Sequence, residues 1–267
     1  MTVAANRIVV NRIVVELLKG ATYRPLWALP AITVVITWAL TFVSGLSEVA
    51  ATGGNLEGAT SENNPLLYSA QPLPIDYQGF DMMNLGLVLM IALGAVYAGQ
   101  EYRSGLMRSS LLADPHRLRL CATKSLVLVV VISVTALLSM GVGTMIRHVS
   151  LGEFGLNPLA LPAVVWVRVA GVALVWSAMG VMAFGIGMLA RNALVPLVAL
   201  LPLSVGLGDF LLRLWTPLRF APPAAGASLF SPPDGIHLDH APAALVMAGW
   251  ALVTLVTAGL VFWRRDA

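Results

Sequence analysis

Six long apolar runs constrain the fold of this chain more than any other feature. Each is close to the ~20 residues that an α-helix needs to cross about 30 Å of hydrocarbon. The chain is 58% hydrophobic and only 11% charged, whereas soluble domains are about 25% charged. We therefore predict an all-α integral membrane protein, a single domain over 1–267 with six transmembrane helices. The predicted spans are approximately 26–46, 82–100, 125–146, 163–189, 194–212 and 242–263.

The distribution of charge predicts which ends of these helices face the cytoplasm. Lys and Arg accumulate in short cytoplasmic loops. With the N-terminus inside, most of the 16 basic residues fall on the cytoplasmic side and most of the 13 acidic residues fall outside. The opposite topology reverses this bias. We therefore predict that both termini are cytoplasmic.

The residues before the first span have an amphipathic pattern. Between residues 5 and 20, apolar residues fall in pairs every three to four positions, and Arg12, Glu16 and Lys19 take the opposite side. This stretch is too short and too charged to span a bilayer. The pattern is typical of a helix that lies along the membrane interface.

Two segments on the predicted outer side interrupt the apolar pattern. Residues 47–81 are rich in Gly, Asn, Ser, Pro and acidic residues, which predicts a long extracellular loop. Residues 213–241 interleave prolines with large apolar residues, so the segment is too broken to span and too apolar for a free loop. We predict short helices or re-entrant turns there, because such backbone is tolerated where protein covers it.

Ionisable and catalytic groups are scarce inside the spans. Arg168 lies within two turns of the outer end of the fourth run, so we predict that it snorkels to the interface. The four histidines fall in predicted loops, where we expect them to be solvated, and the single Cys121 excludes an internal disulfide. No phosphate-binding loop, hydrolase elbow or zinc-protease motif occurs. These absences predict a chain that is not an enzyme and binds no cofactor or metal.

The densest charged segment follows the second span. Residues 99–124 read GQEYRSGLMRSSLLADPHRLRLCATK and carry five basic residues. Charges at the bilayer centre cost roughly 2.5–3.5 kcal/mol each, so this segment must lie in water. A solvated loop with an ordinary cytoplasmic excess of positive charge explains its arginine content but does not explain the order of its residues.

That order resembles the cytoplasmic loop of type-2 ATP-binding-cassette exporter permeases, in particular the actinobacterial drug-resistance and self-immunity class. In that family the second span ends in Glu-Tyr-Arg-x-Gly, followed by Arg, Leu, Pro-x-Arg and a Lys that opens the third span. The matching residues here are Glu101, Tyr102, Arg103, Gly105, Arg108, Leu111, Pro115, Arg117 and Lys124. The residues before the first span also match the family spacing, and they are Glu16, Lys19, Arg24 and Trp27. The short basic tail after the sixth span is similar too.

The resemblance implies the partners of the chain. Residues 101–124 would form the cytoplasmic coupling helix that docks on a separate ATPase subunit, present in two copies, with ATP and Mg²⁺ bound to that partner. The permease would pair with a second copy of itself or a homologue in a bacterial inner membrane, in contact with lipid and with no nucleic acid. Its cargo would be an amphiphilic or lipophilic drug, antibiotic, peptide or lipid.

The resemblance also implies that the second and fifth spans line the transport path. The candidates are Met83, Met90, Tyr97, Leu201, Leu203 and Phe210. Small residues at Gly94/Ala98 and Ala95/Gly99 would let the second span approach a neighbour closely. Near the end of this span, we hypothesise that Glu101 pairs with a nearby arginine and locks the span to the amphipathic helix.

Two other classes of function stay open. An ion-coupled secondary carrier is disfavoured because mid-membrane charges are scarce and no half-repeat is detectable. An ATP-independent membrane enzyme or immunity protein is disfavoured because catalytic groups are missing.

Overall fold

The structure, a computed structural model, describes residues 24–53, 74–103, 117–232 and 235–264. Within these ranges the chain is helical and contains no β-strand. Six helical stretches are long and apolar enough to cross a membrane. The prediction of a multi-pass, all-α membrane protein is therefore confirmed at this level. The predicted amphipathic helix at 5–20, with Glu16 and Lys19, lies outside the described residues.

The described helices are numbered in chain order. Two single turns of 3₁₀-helix, Ile75–Tyr77 and Gly152–Phe154, precede α2 and follow α3 respectively. The fifth crossing is composite, because α5 and α6 are joined by a π-helical turn at Leu203–Leu207. A 3₁₀-helix, Thr216–Phe220, then leads into α7. The α-helices are α1 Arg24–Thr52, α2 Met83–Arg103, α3 Arg117–Ser150, α4 Ala163–Ala190, α5 Leu194–Pro202, α6 Gly208–Leu214, α7 Pro222–Ala227 and α8 His240–Arg264.

Side-chain contacts show which ends of the long helices lie together. The end of α2 meets the end of α4, since the Tyr102 hydroxyl donates to the Met188 carbonyl. The start of α3 meets the end of α8, since Arg117 donates to the Phe262 carbonyl. We call this the loop end, because the described chain stops at Arg103 and resumes at Arg117 there. At the opposite end, here called the polar end, α1 and α3 finish and α2 and α4 begin.

Helix α4 lies at the centre of the bundle, and small residues bring α2 against it. A Cβ atom on Gly94 of α2 would lie well inside van der Waals distance of the Gly180 carbonyl of α4. One turn further along α2, a Cβ on Gly187 of α4 would lie 2.8 Å from the Ala98 Cβ. The predicted close approach of the second span to a neighbour is confirmed. The fully buried Trp176 and Phe184 fill the remaining space around α4.

Helices α1 and α3 extend beyond the predicted spans. Helix α1 continues past residue 46 to Thr52, and α3 begins at Arg117 and ends at Ser150, outside the predicted 125–146. The predicted bounds stopped where charged residues begin. Charged residues in these extensions have partners on neighbouring elements, since Glu48 pairs with Arg147 and Arg117 donates to the Phe262 carbonyl.

The segment after the fifth crossing forms short helices, as its proline pattern predicts. The crossing itself bends at Gly206, whose φ of 125° is a backbone conformation that favours glycine. Thr216–Phe220 then lies alongside α8, since the Trp250 Nε1 donates to the Phe220 carbonyl at 2.8 Å. Ala225 of α7, the next short helix, is fully buried.

Candidate functional site

A buried polar cluster joins three elements at the polar end. It comprises Ser44 and Glu48 of α1, Gln78 and Asp81 before α2, and Arg147 of α3. We call it the Arg147 cluster. Five polar side chains from three elements meet here out of contact with solvent, which makes the cluster a candidate functional site.

Helix length explains why these residues meet. Residues 125–146 of α3 carry no charge and extend about 33 Å at ~1.5 Å per residue, which matches about 30 Å of hydrocarbon. Arg147 therefore emerges where the apolar span ends. Ser44 and Glu48 lie one turn apart on one face of α1, and α1 runs parallel to α3. The turn at Ile75–Tyr77 then brings Gln78 and Asp81 across the ends of both helices.

The Arg147 guanidinium contacts all four other members of the cluster. Its Nη1 donates to Ser44 Oγ at 2.9 Å and lies 3.5 Å from Asp81 Oδ2. Its Nη2 pairs with Glu48 Oε2 and donates to Gln78 Oε1 at 2.9 Å. Such a fork of donors is what a guanidinium needs when it is removed from water.

Charge within the cluster is unbalanced. The side chains of Arg147 and Glu48 are 0% exposed and that of Asp81 is 3% exposed. Two carboxylates thus share one guanidinium in a site without water contact. Asp81 Oδ2 accepts from Ser44 Oγ at 3.0 Å, whereas its Oδ1 has no hydrogen-bond partner. Buried charge is costly unless it is paired, so the excess carboxylate needs a physical account.

Arg168 lies beside this cluster, and the prediction that it snorkels is wrong. Its side chain is buried, its Cζ lies 3.4 Å from the centroid of the Tyr77 ring, and it donates to the Asp76 carbonyl. The residues before α2 supply an aromatic face and a carbonyl within reach. The guanidinium is therefore stabilised by a cation–π contact and a hydrogen bond inside the protein instead of at the interface.

His148 is also buried, so the prediction of a solvated loop residue is wrong for it. Its Nδ1 accepts a hydrogen bond from the Leu156 backbone N–H at 3.2 Å. An imidazole nitrogen that accepts carries no proton, so this ring is neutral. His240 is exposed, as predicted, and begins α8.

Hydroxyl side chains continue from the cluster into the bundle. Thr33, Thr37, Thr41 and Ser44 recur every three or four residues on α1 and are all buried. We call this set the hydroxyl stripe. The hydroxyls of Thr37 and Thr41 have no hydrogen-bond partner, and the facing Ser139 hydroxyl of α3 has none either. The interface between α1 and α3 is thus polar over several turns.

The same pair of helices also forms an apolar groove. It has a volume of about 770 Å³ and lies near the polar end, between α1, α3 and the start of the α3–α4 connection. Its lining is almost entirely hydrocarbon and aromatic: Trp38, Ala39, Phe42, Met145, Ile146, Val149, Asn157, Pro158 and Leu159. In a membrane this groove faces lipid.

The loop end holds the described part of the predicted coupling segment. The Tyr102 hydroxyl donates to the Met188 carbonyl of α4 at 3.1 Å. Arg117 donates to the Phe262 carbonyl of α8 at 3.3 Å and lies over the Phe262 ring. Lys124 is buried, with its Nζ 5.5 Å from the Tyr97 ring centroid. Each anchors one side of the loop to the bundle.

The other predicted residues at this end are exposed or not described. Arg103 and Arg24 are exposed. Glu101 belongs to α2, but its side chain is not among the described ones, so its pairing with an arginine stays a prediction. Gly105, Arg108 and Pro115 lie outside the described residues.

The predicted path residues lie in two different environments. Met83, Met90 and Tyr97 of α2 are buried in the core of the bundle, and the Tyr97 ring packs against Phe184 of α4. Leu201 and Leu203 are half-buried, and Phe210 lies on an exposed face of α6. Within one chain these side chains do not line one continuous surface. Their role in a path stays a prediction.

None of the five members of the Arg147 cluster was predicted as a site residue. Glu48, Gln78 and Asp81 were assigned to the extracellular loop, and Arg147 was counted only as an outer charge. A signal did exist, because the hydroxyl stripe ends in Glu48 at helical spacing and Arg147 directly follows an uncharged span. Neither feature predicts that Glu48 and Arg147 are in contact.

No protein-family model matches this chain, and a comparison with curated proteins finds no match. The functional proposals below therefore rest on the residues themselves.

Proposed function

We propose that this chain is the membrane-spanning permease subunit of an ATP-binding-cassette exporter. In this proposal a separate ATPase subunit, in two copies, binds ATP and Mg²⁺ and docks on residues 101–124. The chain itself performs no catalysis. It pairs with a second copy or a homologue in the bacterial inner membrane, with both termini and the loop end in the cytoplasm.

The anchoring of the loop is the observation that carries this proposal. On one side of residues 104–116, Tyr102 ties the end of α2 to α4. On the other side, Arg117 ties the start of α3 to α8. A displacement of the loop would therefore move α2, α3, α4 and α8 together, as rigid-body rocking driven by an ATPase requires.

The apolar groove supports the choice of cargo. Its nearly all-apolar lining favours a lipophilic or amphiphilic molecule that exchanges with the outer leaflet. Drug, antibiotic, peptide and lipid cargoes all include molecules of this kind.

Co-purification tests the proposal directly. The chain would be expressed with the ATPase encoded beside its gene, tagged only on the permease, and extracted in mild detergent. We expect the ATPase to co-elute, and we expect the triple variant Arg103→Glu, Arg108→Glu, Arg117→Glu to lose it. The matched control is Arg264→Glu, which reverses an exposed charge at the same end of the bundle but outside the loop. Failure of the ATPase to co-elute with the unmodified chain would overturn the proposal.

An ion-coupled carrier is the second candidate, and the Arg147 cluster favours it. A buried carboxylate in excess over its cations is the kind of group that ion-coupled carriers use. The two candidates differ in energy source. Transport in proteoliposomes that contain the chain alone, driven by an ion gradient, would support the carrier, whereas transport that requires the ATPase and ATP would support the exporter.

A further inference from the structure

We propose that the Arg147 cluster is a proton-binding site, and that its two carboxylates, Glu48 and Asp81, hold one proton between them at neutral pH. The inference rests on the charges and contacts of the described residues. It does not depend on the proposed function, because it involves neither the ATPase nor the cargo.

Carboxylates outnumber cations around the site. Glu48 faces it from α1, Asp81 from the segment before α2, and Arg147 from α3. Arg168 of α4 lies over the Tyr77 ring beside the cluster and donates to the uncharged backbone carbonyl of Asp76, whose residue is half-buried. Counted together, the carboxylates of Glu48, Asp76 and Asp81 exceed the guanidiniums of Arg147 and Arg168 by one. One carboxylate within the cluster is left without a cation.

The neighbouring histidine does not supply the missing positive charge. His148 follows Arg147 on α3 and is buried. Its Nδ1 accepts from the Leu156 N–H, and an imidazolium nitrogen cannot accept. Glu153 is the next acidic residue along the chain, and it is exposed to solvent. A proton on the carboxylate pair is therefore the simplest way to neutralise the cluster.

The contacts indicate which carboxyl group is less well compensated. Glu48 uses both oxygens, since Oε2 pairs with Arg147 and Oε1 accepts from Gln78 Nε2 at 3.3 Å. Asp81 has one bonded oxygen, and its Oδ1 is buried without a partner. Because both carboxyl groups contact the same guanidinium, the proton belongs to the pair and is not assigned to one of the two residues.

Proton release has a structural consequence. It leaves an uncompensated negative charge where the ends of α1 and α3 meet the start of α2. The charge is best relieved by water, which reaches it only if these elements separate. The protonation state of the cluster is thereby linked to the packing of α1 against α3, the two helices that also form the apolar groove.

Infrared spectroscopy of the full chain in lipid nanodiscs tests the inference. At neutral pH we expect the C=O stretch of a neutral carboxylic acid, shifted in D₂O. Asp81→Asn should abolish this absorption, and Glu48→Gln should abolish or shift it. The matched control Glu153→Gln, which removes an exposed acid, should leave it unchanged. Absence of the absorption from the unmodified chain, or its persistence unchanged in both cluster variants, would overturn the inference.

Isotope labelling keeps the test valid if a cluster variant fails to fold. The unmodified chain would be produced with ¹³C-carboxyl aspartate or with ¹³C-carboxyl glutamate. Because the chain has 13 acidic residues, a downshift identifies whether the protonated residue is an aspartate or a glutamate, and the variants Asp81→Asn and Glu48→Gln identify which one it is. An unmodified chain with no carboxylic-acid absorption at neutral pH would again overturn the inference, and no variant is needed to reach that result.

Discussion

Each end of the bundle holds a buried cation that belongs to α3. At the polar end, Arg147 is surrounded by two carboxylates, an amide and a hydroxyl. At the loop end, Lys124 lies on the same helix and its ammonium faces the ring of Tyr97. Both ends join elements of the chain to each other, and the loop end also presents the exposed Arg103 beside the segment 104–116. Contacts within the Arg147 cluster therefore set internal stability, whereas the exposed Arg103 is available to a partner.

Replacement of the central cation should have the largest effect. Arg147→Gln leaves two buried carboxylates without their partner, and breaking a buried pair in this way costs about 3–5 kcal/mol. Reversible unfolding in mixed micelles measures the free energy. The control Arg103→Gln, at the exposed loop end, should change it by less than about 0.5 kcal/mol. Equal losses in the two variants would remove the contrast between the ends.

A larger side chain at the contact between α2 and α4 should destabilise the bundle. Gly94→Ala places a Cβ against the Gly180 carbonyl, so α2 must move away from α4. Overpacking of this kind costs typically about 1–3 kcal/mol. Gly249→Ala is the matched control, because a Cβ there has nothing within 4 Å. A Gly94→Ala variant as stable as Gly249→Ala would show that the close approach is not required.

Loss of one anchor at the loop end should have a smaller effect on stability. Tyr102→Phe removes the hydroxyl that bonds the Met188 carbonyl, at a cost of about 1 kcal/mol in the free energy of unfolding. On the proposed function, it should also lower transport per ATP hydrolysed while ATPase co-elution is kept. If coupling is unchanged in the variant, the anchor does not transmit the motion of the loop.

Paired and unpaired hydroxyls on α1 should differ, and loss of the unpaired one should have the smallest effect of all. Ser44→Ala removes a hydroxyl that bridges Arg147 and Asp81, which should cost about 1 kcal/mol. Thr41→Val removes a buried hydroxyl with no partner and keeps the shape of the side chain. It should be neutral or slightly stabilising by the same unfolding measurement. A larger loss in Thr41→Val would mean that this hydroxyl has an important partner, such as water.

Much of the fold was predictable from local pattern. The presence of six helices long enough to cross a membrane and the close approach at Gly94 are confirmed, since hydrophobic length and small-residue spacing are properties of the local sequence. The ends of α1 and α3 were placed too early because a charged residue was interpreted as the end of a helix. Arg168 and His148 were assigned to the interface and to a loop for the same reason. A charged side chain near the end of a span stays buried where the protein supplies a partner for it.

The sequence by itself determined that this chain has six helices long and apolar enough to cross a membrane, and that basic residues are concentrated in the segment after the second of them. Both conclusions follow from the cost of placing charge in hydrocarbon, which each residue bears wherever its neighbours lie. Only the tertiary structure decided that Glu48, Asp81 and Arg147 share one buried site. They lie far apart along the chain, and the free energy of a buried charge depends on which partners the packing of the helices brings within a few ångströms.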